Sequence, residues 1–170
     1  MPKLRPYVDG DWEAVLDLCL LAFAPACRSL ELLMAADLEW RTSMARCLRS
    51  LTRSGERRRL VVAELRGSVV GVVHYQVDRH ARSGSIGLSA VHPARQGKGI
   101  GSLLYEHALD AMWAQGVRYA TAEAGGDPSY APARRAYEKA GFVPLPMVHY
   151  VKRLGGPRAK AAARTRRAKR

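Results

Sequence analysis

Residues 84–113 carry the clearest chemical pattern: a strand of small residues runs into a glycine-rich turn and then into an amphipathic helix. A helix start has backbone N–H groups without intrahelical partners and a partial positive charge, so it attracts anions. The turn reads QGKGIG at 96–101, and its glycines place no Cβ atom between those amides and a phosphate. The sequence therefore predicts a phosphate-binding turn.

Two common nucleotide-binding motifs do not fit this turn. A dinucleotide fingerprint requires a third glycine three residues after the second, and counting from Gly97 and Gly99 that position holds Ser102. A nucleotide P-loop requires lysine followed by serine or threonine, whereas Lys98 is followed by Gly99 and the position five before Gly97 holds His92. Both nucleotide motifs therefore fail on spacing.

The turn instead resembles the acyl-CoA motif of the GNAT superfamily of N-acetyltransferases, which is Gln or Arg, two residues, Gly, one residue, then Gly or Ala. Residues 91–93 read VHP, where that family has its strand-ending Val-x-Pro. The resemblance implies acetyl-CoA as co-substrate, no metal, and a backbone N–H near the end of this strand that donates to the acyl carbonyl. The implied CoA-binding residues are Ala90, Val91, Gln96, Gly97, Lys98, Gly99, Ile100, Gly101 and Ser102.

A second stretch, ARRAYEKAGF at 133–142, resembles the family's second motif, in which a helix carries a tyrosine that points at the CoA sulfur. Tyr137 occupies that position. A phenol has a reference pKa of about 10, so a neutral Tyr137 would donate a proton to the departing thiolate. Its alternative role is packing beneath the CoA arm. The family often has Asn seven residues earlier, where this chain has Tyr130, so we assign no cofactor contact there.

The first candidate for the base that removes a proton from the attacking amine is a carboxylate that follows the predicted fifth strand. Glu123 follows the predicted fifth strand, about where the ribosomal-protein alanine N-acetyltransferases of this family hold a catalytic Glu. A carboxylate at this place would act through a water. His74 on the third strand is the first alternative and Asp127 the second, and water alone also stays open.

The order of predicted elements agrees with the resemblance. It predicts a mixed α/β domain over residues 1–154 with a mostly antiparallel sheet flanked by helices. The resemblance implies fourth and fifth strands that splay apart, with the CoA arm entering the gap. The predicted strands lie at 3–8, 60–65, 69–77, 84–91, 117–122, from 142 onward and at 147–154. The predicted helices lie at 12–23, at 29–53 with one break allowed, from the turn to 113, and at 132–140.

Local patterns add two expectations. Proline lacks the N–H that a helix interior needs, so Pro25 is expected to interrupt the first helix. Strict alternation along the fourth strand predicts Ile86, Leu88 and Ala90 on one face. The small opposite face, which holds Ser89, would leave room for an extended ligand.

The net charge of +13 is concentrated at the end of the chain. Residues 155–170 contain seven Lys or Arg, no acidic residue and no large apolar side chain, which predicts a disordered basic tail outside the domain. Such a tail could make weak contacts with a polyanion such as RNA, DNA or an anionic membrane surface. Alternatively, it is a solvated tail with no partner of its own.

Composition bears on the compartment. The chain has no apolar run of about 18 residues, so no membrane span is predicted. Its first residues lack the apolar run of a signal peptide. Its three cysteines, Cys19, Cys27 and Cys47, show no metal-ligand pairing and are expected to be reduced. A cytoplasmic location is expected.

The leading hypothesis is an acetyl-CoA-dependent N-acetyltransferase that acts on a primary amine of a small molecule. The first alternative is a protein or peptide N-acetyltransferase tethered by its basic tail, and the second is a non-catalytic acyl-CoA-binding sensor. The acceptor pocket is expected from residues 20–53 and 143–148, where Glu31, Asp37 and Glu39 would hold a cationic amine or form an ordinary polar helix face. Homodimerisation is left open.

Overall fold

The computed structural model describes residues 1–34, 40–52 and 58–148. Within them the predicted order of elements is confirmed from the first strand to the last helix. The strands are β1 (Lys3–Pro6), β2 (Arg58–Leu65), β3 (Ser68–Asp78), β4 (Ser83–Val91) and β5 (Tyr119–Ala122). The helices are α1 (Trp12–Met34), α2 (Trp40–Thr52), α3 (Ile100–Trp113) and α4 (Ala131–Lys139), with short 3-10 turns at Asp9–Asp11, Pro93–Arg95 and Pro128–Tyr130.

The strands form one five-stranded mixed sheet in the order β1-β2-β3-β4-β5. The first three pairings are antiparallel, and β4 pairs with β5 in parallel through the crossover helix α3. The parallel pairing runs from Ser83 opposite Tyr119 to Ile86 opposite Ala122, and β4 then continues to Val91. Beyond Ile86 the two strands are no longer paired, which is the predicted splay.

Each face of the sheet carries its own apolar cluster. The α3–α4 face holds the apolar stripe of α3, in which Ile100, Leu104, Ala108 and Met112 recur at helical spacing. The α1–α2 face holds a cluster from both of its helices and the opposite side of the strands: Val15, Leu16, Leu18, Cys19, Met44, Leu48, Leu60, Val62, Val72 and Ala90. Burial of one such leucine contributes roughly 2 kcal/mol, so each helix is held mainly by its apolar face.

A β-bulge in β4 overturns the predicted facing of that strand. Tyr75 pairs with Ile86 and Val73 with Ser89, so two residues of β4 lie opposite the single residue His74. Ile86 therefore lies in the α3–α4 cluster, whereas Leu88 and Ala90 pack on the α1–α2 side. The prediction that these three share a face was wrong because strict alternation fails at a bulge.

Two glycines of the sheet let α3 approach it closely at both ends. A Cβ atom on Gly71 would lie 3.0 Å from Leu104 and 3.1 Å from Ile100, near the start of the helix. A Cβ atom on Gly84 would lie 2.8 Å from the sulfur of Met112, near its end. These contacts are tighter than side chains accept, so both glycines set the distance between α3 and the sheet.

Two predicted boundaries were wrong. Helix α1 continues through Pro25 to Met34; the backbone bond that the proline removes is the one to the carbonyl of Leu21, an exposed residue. The strand predicted from 142 does not form within 142–148, where Pro144 and Pro146 remove two of the N–H groups that a ladder needs. The strand predicted at 147–154 and the tail at 155–170 fall largely or wholly outside the described residues.

Among the side chains that the structure describes, Cys19 is a buried free thiol and Cys47 an exposed one. Burial raises the pKa of the Cys19 thiol to about 12, with the nearby Cys47 adding to the shift, so Cys19 is an apolar core residue. Over the described parts of the chain, no helix has the length and apolar character needed to cross a membrane.

Candidate functional site

The glycine-rich turn is fastened to the end of β4 by side-chain hydrogen bonds. Gln96 Nε2 donates to the carbonyl oxygen of Val91 over 3.1 Å, and Lys98 Nζ donates to the carbonyl oxygen of Ala94 over 3.3 Å. His92 Nδ1 accepts from the backbone N–H of Ala94 over 3.2 Å, which caps the Pro93–Arg95 turn. The turn is therefore a fixed loop held by its own residues.

Glycine is required in this turn by backbone conformation. Gly97 has a φ of +73° and Gly99 a φ of +79°, which is left-handed backbone that other residues rarely adopt. The first intrahelical bond from an N–H runs from Leu103 to the carbonyl of Gly99 over 3.0 Å, so the N–H groups of Ile100, Gly101 and Ser102 lie ahead of it. No atom lies within 4 Å of a Cβ built on Gly97 or Gly99, so an anion can approach.

The edge of β4 beyond the last β5 pair is suited to an extended ligand. The N–H of His92 donates to the carbonyl of Val70 over 3.0 Å, on the β3 side. Backbone groups alternate along a strand, so those of Ser89 and Val91 point to the opposite edge and those of Ala90 point to β3. Of the predicted pair, Val91 therefore offers its amide to the gap and Ala90 does not. Ser89 was missed because the sequence does not show which edge loses its neighbour.

Tyr137 lies where the gap opens. Its side chain is buried, with 7% of the residue exposed, and its ring stacks on Tyr105 with centroids 4.6 Å apart. The ring of Phe142 meets it edge-on at 5.5 Å. Ser89 Oγ on β4 lies 3.3 Å from the Tyr137 hydroxyl and 2.9 Å from the Tyr105 hydroxyl. The predicted tyrosine is therefore brought to the same stretch of β4 as the open edge.

Tyr105 is a second buried phenol that sequence reasoning missed. Burial raises its pKa, and the neighbouring Tyr137 adds to the shift, so Tyr105 stays neutral. In the sequence it reads as one more apolar position of α3, and only its proximity to Ser89 shows a polar role.

Glu123 lies directly after β5 and is exposed. Its neighbours Ala122 and Ala124 pack against the α3–α4 cluster, so alternation turns the Glu123 side chain to the opposite, α1–α2 face. The structure thus places Tyr137 and Glu123 on different faces of the sheet, near the same end of β5.

The alternative bases lie in other surroundings. Asp127 Oδ1 accepts from the N–H of Ser129 over 2.8 Å and thereby caps the Pro128–Tyr130 turn. Arg134 also donates to the backbone carbonyls of Asp127 and Gly125. His74 is 3% exposed, and its ring packs against Gly87 at the bulge, where a Cβ would come within 2.7 Å of it. Asp127 therefore has a capping role, and His74 fills the bend of β4.

A groove of about 720 Å³ lies along α1 and α2. Arg41 crosses it to Glu13 and Asp17, and the guanidinium of Arg49 stacks over Trp12 at 5.5 Å. None of its lining residues comes from β4, α3 or α4, so this groove is separate from the β4–β5 gap. The predicted acceptor carboxylates at 31, 37 and 39 lie outside the residues whose side chains are described.

The described residues include no cluster of three or more His, Cys, Asp or Glu that could hold a metal ion. The site they form consists of an anion-attracting helix start, an open strand edge, and a buried tyrosine hydroxyl along that edge. A long ligand with a phosphate at one end and an acyl group at the other fits this order.

Comparison with known proteins agrees with the geometry. The model of the acetyltransferase (GNAT) family matches residues 14–142. The chain therefore belongs to the GNAT family of acetyltransferases, and the resemblance inferred from the two motifs is confirmed. The chain is accordingly an acyl-transferring enzyme, and enzymes of this family use acetyl-CoA.

Three solved structures share the fold at low sequence identity. The ribosomal-protein-S18-alanine N-acetyltransferase of Escherichia coli has 21% identity and a TM-score of 0.63, covering 83% of this chain and 77% of its own. Glucosamine-6-phosphate N-acetyltransferase of Arabidopsis thaliana has 15% identity and a TM-score of 0.61, covering 91% and 99%. AAC(6')-Iy, bound to a CoA-linked acetylneamine analogue, has 12% identity and a TM-score of 0.64, covering 90% and 99%. No curated protein sequence matches the chain significantly.

Proposed function

We propose that this chain transfers an acetyl group from acetyl-CoA to a primary amine of a small molecule. One observation carries the proposal: the open edge of β4 leads from the helix start at Gly99 to the hydroxyl of Tyr137. A ligand that lies along this edge with its phosphates at the helix start brings its other end to that hydroxyl. Acetyl-CoA supplies the activated acetyl thioester when it is bound.

The chain's own groups divide into binding and chemistry. The amides of residues 97–102 would hold the phosphates, and the backbone of Ser89 and Val91 would pair with the arm. A β4 amide would also donate to the acyl oxygen, an interaction typically worth about 3 kcal/mol. Tyr137 would protonate the departing sulfur, and Glu123, from the other face of the sheet, would accept the proton of the amine through a water.

A protein or peptide acceptor is the second candidate. The E. coli enzyme of similar fold is named for an alanine of ribosomal protein S18 and the Arabidopsis enzyme for glucosamine-6-phosphate, while AAC(6')-Iy is bound to an acetylneamine analogue. The basic residues at 155–170 favour a target that lies on a polyanion. A sensor without catalysis would have no use for the tyrosine hydroxyl at the open edge.

The test is thiol release from acetyl-CoA against polyamines, aminoglycosides, amino acids and short peptides, with the full chain and with a chain ending at 154. Turnover of one small amine by both forms would support the small-molecule function. Turnover of peptides but of no small amine would support the protein acceptor. In that case, removal of residues 155–170 should abolish the turnover or remove its dependence on salt. Tight CoA binding with no release from any amine would contradict the small-molecule function and point to a macromolecular acceptor or to a sensor.

A further inference from the structure

Three hydroxyl groups from three different elements meet on the α3–α4 face of the sheet. Ser89 of β4 stands between Tyr105 of α3, at 2.9 Å, and Tyr137 of α4, at 3.3 Å. Building on the proposed function, we infer that Ser89 and Tyr105 are positioning residues for Tyr137. They turn its proton toward the leaving sulfur and stabilise the phenolate that the transfer leaves.

Either hydroxyl in each of these two pairs can donate, and one donor order serves the transfer. In that order Tyr105, which is 4% exposed and stays neutral, donates a hydrogen bond to Ser89 Oγ. Ser89 then donates its own hydrogen bond to the oxygen of Tyr137, whose proton remains for the substrate. In the transfer, the O–H bond of Tyr137 breaks as the S–H bond of free CoA forms. The phenolate regains a proton from solvent after the product leaves, which balances the proton given up by the amine.

The two distances differ in a way that suits this role. O–H···O bonds are usually about 2.5–3.0 Å long, so Ser89 is held firmly by Tyr105 and only weakly engaged with Tyr137. A bond to a charged oxygen is shorter and stronger than a bond to a neutral one. The bond from Ser89 therefore gains strength as Tyr137 becomes a phenolate, which favours the state after proton transfer over the state before it.

Ring stacking alone would also explain why two tyrosines lie together, so the test must separate the hydroxyl from the ring. Tyr105→Phe keeps the stacked ring and removes only the hydroxyl, and Ser89→Ala removes the link between the two phenols. Tyr75→Phe is the matched control, because Tyr75 is equally buried in the same apolar cluster and takes no part in the bonds around Ser89.

The measurement is thiol release from acetyl-CoA with spermidine, neamine or an alanine-initiated peptide, whichever the parent turns over fastest. One net hydrogen bond is worth about 1 kcal/mol, so Tyr105→Phe and Ser89→Ala should each lower kcat roughly fivefold. KM for acetyl-CoA should stay unchanged, and Tyr75→Phe should leave kcat unaltered. In a Tyr137→Phe background, Tyr105→Phe should have no further effect on kcat, because the group through which it acts is gone.

Ser89→Ala also serves if Tyr105→Phe folds poorly, because it removes the same donor chain through a different residue. An unchanged kcat in both variants, or an equal loss with and without Tyr137, would overturn the inference while the proposed function stands. A parent that releases no thiol with any amine of the full panel would overturn the proposed small-molecule function, and the inference with it.

Discussion

The two faces of the sheet differ in the kind of contact that holds their functional groups. On the α3–α4 face, the turn is fixed by bonds between residues close in sequence, such as Gln96 to Val91. On the α1–α2 face, the contacts join distant parts of the chain, such as Arg41 to Asp17 and Arg5 to Glu64, and Arg5 also binds Asp11. The turn that would bind the phosphates therefore depends on a short motif, whereas the face proposed for the acceptor depends on how whole helices dock.

The largest effect is expected from Gly99→Val on the α3–α4 face. The variant combines a strained positive φ with a branched side chain at the helix start, so affinity for CoA should fall at least roughly a hundredfold. Isothermal titration of CoA measures it. Gly116→Val is the matched control, since Gly116 has a φ of +82° at the far end of α3. Equal loss in both variants would show general damage to the helix and not a phosphate site.

Tyr137→Phe should come next in size. The ring and its stacking remain, so affinity for CoA should hold while kcat falls roughly a hundredfold, a usual contribution of general acid catalysis. Steady-state thiol release together with CoA titration separates the two effects. If kcat is unaltered, Tyr137 is a packing residue and the α3–α4 face lacks the proposed acid.

Glu123→Gln tests whether the other face takes part in the chemistry. Removing a carboxylate base should lower kcat/KM for the amine roughly tenfold and change the low-pH limb of its pH profile. Glu106→Gln, an exposed carboxylate on α3, controls for the loss of one surface charge. A profile that coincides with that of the parent would remove Glu123 as the base and leave water or His74.

Asp11→Asn should affect stability and leave the chemistry intact. Asp11 is buried just before the first residue of α1, and the Arg5 guanidinium lowers the pKa of its carboxyl, while Asp11 and Glu64 raise the pKa of Arg5. Because the pKa of Asp11 is lower in the folded state than in the unfolded state, the charged carboxyl stabilises the fold at pH values above the ordinary carboxyl range. This stabilisation is lost as the pH falls through the folded-state pKa. The free energy of unfolding near neutral pH should drop by about 2 kcal/mol in urea denaturation.

The exposed neighbour Asp9 provides the control for that variant. Asp9→Asn should leave the free energy of unfolding near that of the parent, and CoA affinity should be unchanged in both. A rise in KM for the amine in Asp11→Asn, with CoA affinity unchanged, would show that the α1–α2 face affects the acceptor and not CoA. A matching fall in CoA affinity would contradict it, because the two faces would then be coupled.

Local sequence was sufficient for the parts of the molecule built from contiguous residues. The turn at 96–101, the tyrosine of α4 and the order of elements could all be predicted, because glycine spacing and apolar periodicity act over a few residues. Helix α1 was misjudged at Pro25, because the sequence does not show that Leu21, whose carbonyl loses its hydrogen bond, is an exposed residue.

Features that depend on tertiary pairing could not be predicted. The partnership of Ser89 with Tyr105 requires knowing that β4 changes face at a bulge, and nothing in the pattern of small residues marks that place. The close approach of α3 likewise depends on Gly71 and Gly84, whose role becomes visible only against the helix that they contact.

The extra residue at the β-bulge of β4 affects two properties together: which side chains of the strand face α3, and where the strand bends. Ile86 and Ser89 are three positions apart, an odd interval, yet the bulge makes both face α3. The same residue bends the strand just where its pairing with β5 ends at Ile86. A strand one residue shorter would run straight, remain alongside β5 and narrow the opening. The width of the opening between β4 and β5 and the positions of the three hydroxyl groups therefore both depend on this one extra residue.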